Sequence, residues 1–273
     1  MSTLSRRLSL SSRMAVITLA LVAGPGLWAG PPFRTDDPEP VTLGHAEFYL
    51  TWTGARTPDG QATAFPLLEF NYGILPGLQF HVVAPYAQVK PSGEPWARGY
   101  GDTEIGLKYR FMEERDGVPQ VGIFPMVELP TGRAERGLGA GHTAVYLPIW
   151  VQKGFGKWTT YGGWGWWRNP GEGQRNWSYS GWLLQREMSE RLTLGAELFR
   201  TTASSLEGRA SAGWNLGAIV NVDERHHLLA SWGKNLSGPA ETHFYLGYQF
   251  TFAPGATAGK GPAQLQGTRT AGY

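Results

Sequence analysis

The chain contains no cysteine. That excludes a disulfide-stapled scaffold and a thiolate metal centre, and it suits passage through an oxidising compartment. Long apolar runs are missing as well. The longest, residues 14–23, is far below the ~20 residues a membrane-spanning helix requires, so a helical membrane protein is excluded. An excess of charge of one sign is also lacking. The formal charge is +2, and Arg6, Arg7 and Arg13 fall in the first 29 residues, which hold no acid; without them it is −1. A basic nucleic-acid-binding surface is therefore not expected. No G-x-S-x-G elbow is present, and the position two after His142 is Ala144 rather than a serine, so the sequence nominates no hydrolase. His226, His227 and His243 invite a metal site, but His226 and His227 are adjacent on a strand pattern and point to opposite faces, and no carboxylate stands at ligand spacing, so neither metal nor cofactor is expected.

What the chain does hold is aromatic residues and glycine: 38 glycines, 12 tryptophans, 11 tyrosines and 12 phenylalanines. The basic start, the short apolar run and Leu27-Trp28-Ala29 predict a signal peptide over residues 1–29. Residues 30–40 (GPPFRTDDPEP) are proline-rich and predict an irregular periplasmic lead-in to a barrel over 41–252; 253–273 predict a disordered periplasmic tail.

From residue 41 apolar and polar residues alternate with a period of two. Twelve segments follow this rule: 42–53, 63–74, 78–89, 101–112, 118–129, 142–153, 157–168, 176–186, 191–201, 210–222, 226–235 and 244–252. In the fourth, Ile105, Leu107, Tyr109 and Phe111 alternate with Glu104, Gly106, Lys108 and Arg110. The seventh and eighth are aromatic on both faces and give no register. Pro125 weakens the fifth. Connections after even segments are short (75–77, 113–117, 154–156, 187–190, 223–225), whereas those after odd ones (54–62, 90–100, 130–141, 169–175, 202–209, 237–240) are mostly longer. An even count with short turns at one end and longer loops at the other is the arrangement of an outer-membrane barrel with both termini in the periplasm. The expected fold is all-β: a transmembrane antiparallel up-and-down β-barrel of about 12 strands in the bacterial outer membrane.

Charges support this reading. Lys and Arg facing mid-bilayer lipid cost ~2–4 kcal/mol, and the polar face of the segments takes Glu47, Glu69, Glu104, Lys108, Arg110, Glu128 and Glu197. With Tyr49, Phe124, Met126 and Tyr245 as apolar inward area, these are the candidate lumen-lining residues. A Trp cluster at Trp164, Trp166, Trp167, Trp177 and Trp182 reads as an interfacial girdle, or else as an aromatic track for a solute. Expected partners are outer-membrane lipid and lipopolysaccharide, the barrel-insertion machinery, which would read Tyr245-x-Gly247-x-x-Phe250-x-Phe252, and a small solute.

Phe33-Arg34-Thr35-Asp36-Asp37-Pro38 followed by Ala46-Glu47, the strand Gly101-Asp102-Thr103-Glu104-Ile105-Gly106-Leu107-Lys108-Tyr109-Arg110-Phe111, Glu128-Leu129-Pro130-Thr131-Gly132 and the region 213–252 resemble the outer-membrane transporter family of the meta-pathway of phenol degradation. The resemblance implies an outer-membrane barrel with a transport role and names no solute. The expected function is a passive channel for small apolar or aromatic solutes, not an enzyme. The alternatives are a plugged or structural surface barrel and an outer-membrane lipid hydrolase.

Overall fold

A computed structural model describes residues 30–253. The signal peptide expected over 1–29, and the tail beyond Ala253, lie outside the described residues. The described chain is a closed antiparallel barrel of twelve strands, built from fourteen segments: β1 (Ala46–Thr57), β2 (Gly60–Leu75), β3 (Leu78–Pro91), β4 (Ala97–Tyr100), β5 (Thr103–Met112), β6 (Gln120–Ile123), β7 (Met126–Leu129), β8 (Ala144–Phe155), β9 (Trp158–Arg168), β10 (Trp177–Ser189), β11 (Leu192–Thr201), β12 (Ser211–Asn221), β13 (His226–Ser237) and β14 (Thr242–Phe252).

Two strands are each made of two segments. β4 and β5 both pair with β3, and β6 and β7 both bridge β5 to β8. The second break falls at Phe124-Pro125, where proline has no N–H for the ladder. Its carbonyl still accepts Leu107 N at 3.1 Å, and the inward alternation of Gln120, Gly122, Phe124 and Met126 continues through it. The barrel closes where β1 meets β14, from Ala46↔Phe252 to Arg56↔Thr242.

Two connections are shorter than the sequence suggests. β1 and β2 stay paired up to Thr57↔Gly60, so the loop expected over 54–62 is a hairpin with only Pro58 and Asp59 between the strands. Pro-Asp-Gly is itself a turn signal, and the strands above it are short of strong apolar contrast, which hides their continuation. Likewise the loop expected over 90–100 contains β4, which pairs Ala97 to Val89 and Tyr100 to Tyr86.

The faces are inverted relative to a water-soluble protein. Leu50, Leu107, Leu147, Leu198, Leu216, Leu228 and Trp232 are exposed, while Glu69, Lys108, Glu197 and Asn215 are buried. A soluble sheet would hide the first set at ~1.5–3 kcal/mol per large side chain; only a lipid surround makes their exposure favourable. The chain is an outer-membrane barrel. Segments seven and eight acquire a register. Tyr161, Trp167, Trp177, Tyr179 and Leu183 turn inward, and Trp164, Trp182 and Leu184 turn to lipid. The Trp cluster is thus divided between the lipid face and the lumen.

Leu216 stands midway along β12 on the lipid face. Leu216→Arg should lower folding free energy in lipid vesicles by about 2–4 kcal/mol, read by urea titration with heat-modifiable gel mobility. No loss would place Leu216 in water.

Candidate functional site: a lumen occupied by the chain's own N-terminus

Residues 30–42 are irregular, as expected, but do not lie outside the barrel: Phe33, Thr35 and Asp36 are buried within it. Unpaired backbone inside a barrel must find partners on the wall, and the wall supplies them. One oxygen of the Glu197 carboxylate accepts Arg34 N and the other Thr35 N, each at 2.8 Å, and Asn215 Nδ2 donates to the same group. Thr35 Oγ1 meets the Tyr179 hydroxyl at 2.9 Å, and Gln79 Oε1 accepts Val41 N at 2.8 Å. The acids of the segment face the inward bases. Lys108 Nζ lies 2.9 Å from Asp36 and 3.5 Å from Asp37, Arg110 lies 3.5 Å from Glu39, and Arg34 reaches Glu241 at 3.6 Å. Burial pushes the Asp36 carboxyl up to about 7, with Lys108 pulling the other way.

Space for the segment comes from glycine on the inward faces of β11 and β12. A Cβ at Gly195 would stand 2.6 Å from the Phe33 ring, and one at Gly217 would stand 2.7 Å from it. Phe33 packs there with Tyr161 and Leu183. Any larger residue at either glycine would push the ring out of its seat.

The sequence-predicted residues all belong to the inward face, but they form separate groups. Glu197 holds the segment's backbone, and Lys108 and Arg110 hold its carboxylates. Glu47 accepts from the Tyr49 hydroxyl at 2.8 Å. Glu69 accepts from Asn71 at 2.8 Å; Asn71 Oδ1 and His81 Nδ1 are 2.6 Å apart; and His81 Nε2 lies 3.0 Å from Glu104. Tyr245 meets Thr51 at 3.1 Å. Glu128 pairs in register with Glu104, higher towards the loops. Phe124 and Met126 join a different group, an apolar cluster with Ala144, Tyr146, Trp150, Trp167, Tyr179 and Phe199.

Sequence reasoning did not single out Asp36, Asn71, His81, Asn215 or Trp150 as site residues. The available signal was complementarity: three acids in 36–39 opposite two bases on the polar face of one strand. Of the three candidate histidines, His243 belongs to this site, its Nε2 lying 2.6 Å from Asn215 Oδ1, and the other two do not. His226 stacks on Phe250 at the short-turn end of the barrel, and His227 bonds Asn221 at 2.8 Å.

The wall is polar on β1–β5 and aromatic on β8–β11, and the N-terminal segment spans between them. Such a lumen holds a chain by charge from both sides, Lys108 and Arg110 on one and Glu197 on the other. Hydrogen bonds to a charged group are worth ~1.5–3 kcal/mol each, so Glu197→Ala, which removes two to the segment, should free it by about 3 kcal/mol or more. With Pro38→Cys as reporter in this cysteine-free chain, maleimide labelling should rise on the order of a hundredfold. An unchanged rate would show that Glu197 does not hold the segment.

No family model matches the sequence, and no curated protein matches it. Solved structures do match in fold. The COG4313 outer membrane channel from Pseudomonas putida F1 superposes with a TM-score of 0.64 at 19% identity, over 79% of this chain and 98% of that one. The KdgM porin, solved in complex with disordered oligogalacturonate, gives 0.54 at 12% identity over 75% and 99%. The NanC porin gives 0.52 at 7% over 74% and 98%. At these identities the likeness is one of fold: this chain has the outer-membrane β-barrel fold of channels and porins.

Proposed function

We propose that the protein is a passive outer-membrane channel for small apolar or aromatic solutes, closed in the described state by its own N-terminal segment. The observation that carries this reading is the two-sided lumen. A barrel meant only as a surface scaffold needs no aromatic inner wall, and Phe124, Met126, Tyr146, Trp150, Trp167, Tyr179 and Phe199 bury their rings and chains toward the interior. The motif resemblance to the transporter family of the meta-pathway of phenol degradation supports membership of that group, as does the fold shared with outer-membrane channels. No chemistry is asked of the wall: its charged groups are engaged with one another and with the segment.

Two partners follow from the same surface. Arg56, Arg200 and Lys234 are exposed on the lipid-facing side near the loop end and suit lipopolysaccharide phosphates. β14, with Tyr245, Gly247, Phe250 and Phe252, is the strand offered to the insertion machinery.

A second reading, a permanently plugged barrel without transport, is favoured by the density of contacts on residues 33–39. Planar-bilayer conductance separates the two, combined with solute uptake into vesicles whose outer leaflet is lipopolysaccharide. The channel reading expects low ion conductance for the parent, a several-fold increase for Glu197→Ala or Arg110→Ala, and faster entry of toluene-sized solutes than of a hexose. A tight barrier to ions and solutes alike in parent and variants would replace the channel by the plugged barrel.

A further inference from the structure

Between β7 and β8 the chain runs from Pro130 to Thr143 without joining the sheet. A connection of this kind normally passes over the surface. Its one leucine, Leu138, is instead 2% exposed and packs with Ala62, Ala87 and Val89, with Ala97 against them. Ala62 and Val89 are register partners, as are Val89 and Ala97, so the seat lies on the inner face of β2, β3 and β4 at their loop ends. Small residues make room for it: a Cβ at Gly99 would stand 3.1 Å from Leu138 Cδ1. The connection leaves the wall at β7 and rejoins it at β8, while its leucine rests beyond β5 on β2–β4. It therefore crosses the mouth in front of β5.

A buried carboxylate fastens the neck of this connection. Asp102 stands at the corner between β4 and β5; its Oδ1 accepts Gly132 N at 2.8 Å and its Oδ2 accepts Ala140 N. A Cβ at Gly139 would strike the same carboxylate, and one at Gly132 would strike the Leu138 carbonyl. Thr131 Oγ1 adds a further tie, donating to Gly101 O and accepting Thr103 N, each at 2.9 Å. Past the neck, residues 133–137 are exposed. An element fastened through one carboxylate and one apolar side chain can open locally while the strands around it stay paired. The N-terminal segment is held at another depth. Lys108 and Arg110 lie six and eight residues beyond Asp102 along the same strand, which at ~3.3 Å per residue is about 20 Å or more toward the short turns.

We propose that residues 130–141 form a lid over the mouth at the loop end, with Asp102 as its latch and the Leu138 seat as its stop, and that this lid is a second barrier in series with the N-terminal segment. The inference rests on the reading of the lumen as a channel and adds a second place where that channel closes. Barriers in series show a dependence that neither shows alone: the lid limits flow only after the segment has been released.

The test uses the full chain in planar bilayers, with each variant checked as folded by heat-modifiable gel mobility. Asp102→Ala alone should change conductance by less than about twofold, because the segment still limits flow. Added to Glu197→Ala, it should raise conductance roughly threefold over Glu197→Ala alone. Leu138→Gly, which leaves the latch in place and empties the seat, should give a gain of the same size in the Glu197→Ala background. The closed position has its own readout. Leu138→Cys with Ala87→Cys, in a chain with no other cysteine, should form a disulfide on oxidation. In the background of Glu197→Ala with Asp102→Ala that disulfide should cancel the threefold gain, and a reductant should restore it. A conductance raised by Glu197→Ala but unmoved by Asp102→Ala or by Leu138→Gly overturns the lid and leaves the channel standing. So does a cysteine pair that fails to cross-link, or a gain that survives the disulfide. Silence in every variant sinks the channel and the lid with it.

Discussion

The structure depends on one constraint: in hydrocarbon no backbone N–H or C=O can be left to water. The β1–β14 seam, paired from Ala46↔Phe252 to Arg56↔Thr242, meets it by removing the sheet's edges. Once the sheet is closed, the pleat leaves each residue only two destinations, lipid or lumen. Leu216 and Asn215 are neighbours in sequence with opposite solvents, and Asn215 is buried against Glu197 and His243. Where the ladder is broken at Pro125, the loss falls on one donor and the carbonyl remains bonded.

That two-valued choice is why so much of the fold was legible in the sequence. Glu104 to Phe111 alternate so cleanly that register, face and strand type follow from period alone, and the closing strand behaves the same way. Legibility fails where both choices attract the same residue type. Trp164 and Trp167 are both aromatic, yet one meets lipid and the other the Tyr146 ring. Only the glycines at 163 and 165, which make room for inward rings, would have fixed the parity. It fails differently at the β1–β2 hairpin, where strands rise beyond the apolar band and their residues no longer need contrast.

The N-terminal segment was illegible for a third reason. Residues 30–40 have no period, and proline-rich irregular backbone reads as an outside connection because buried backbone usually belongs to regular structure. Here side chains replace the ladder: Glu197 and Gln79 do for Arg34, Thr35 and Val41 what a neighbouring strand would. Polar residues on the inner face of a barrel therefore have two explanations, water and polypeptide. Glycine at Gly195 and Gly217 distinguishes them, since water needs no such recess and the Phe33 ring does. The candidate residues were thus correctly placed by face, while their grouping came from a chain segment whose position no periodicity encodes.

The N-terminal segment is joined to the wall it packs against. Only residues 42–45 separate Val41, the last of its residues held by the wall, from the first residue of β1. A tether that short keeps the segment's effective concentration at its seat in the millimolar range or above. Contacts that would give a weak complex between separate molecules are then sufficient for nearly complete occupancy. Seating of the segment becomes a first-order property of each barrel, indifferent to dilution and to how many copies the membrane holds. On the proposed channel reading, a solute that enters must displace a competitor whose concentration never falls.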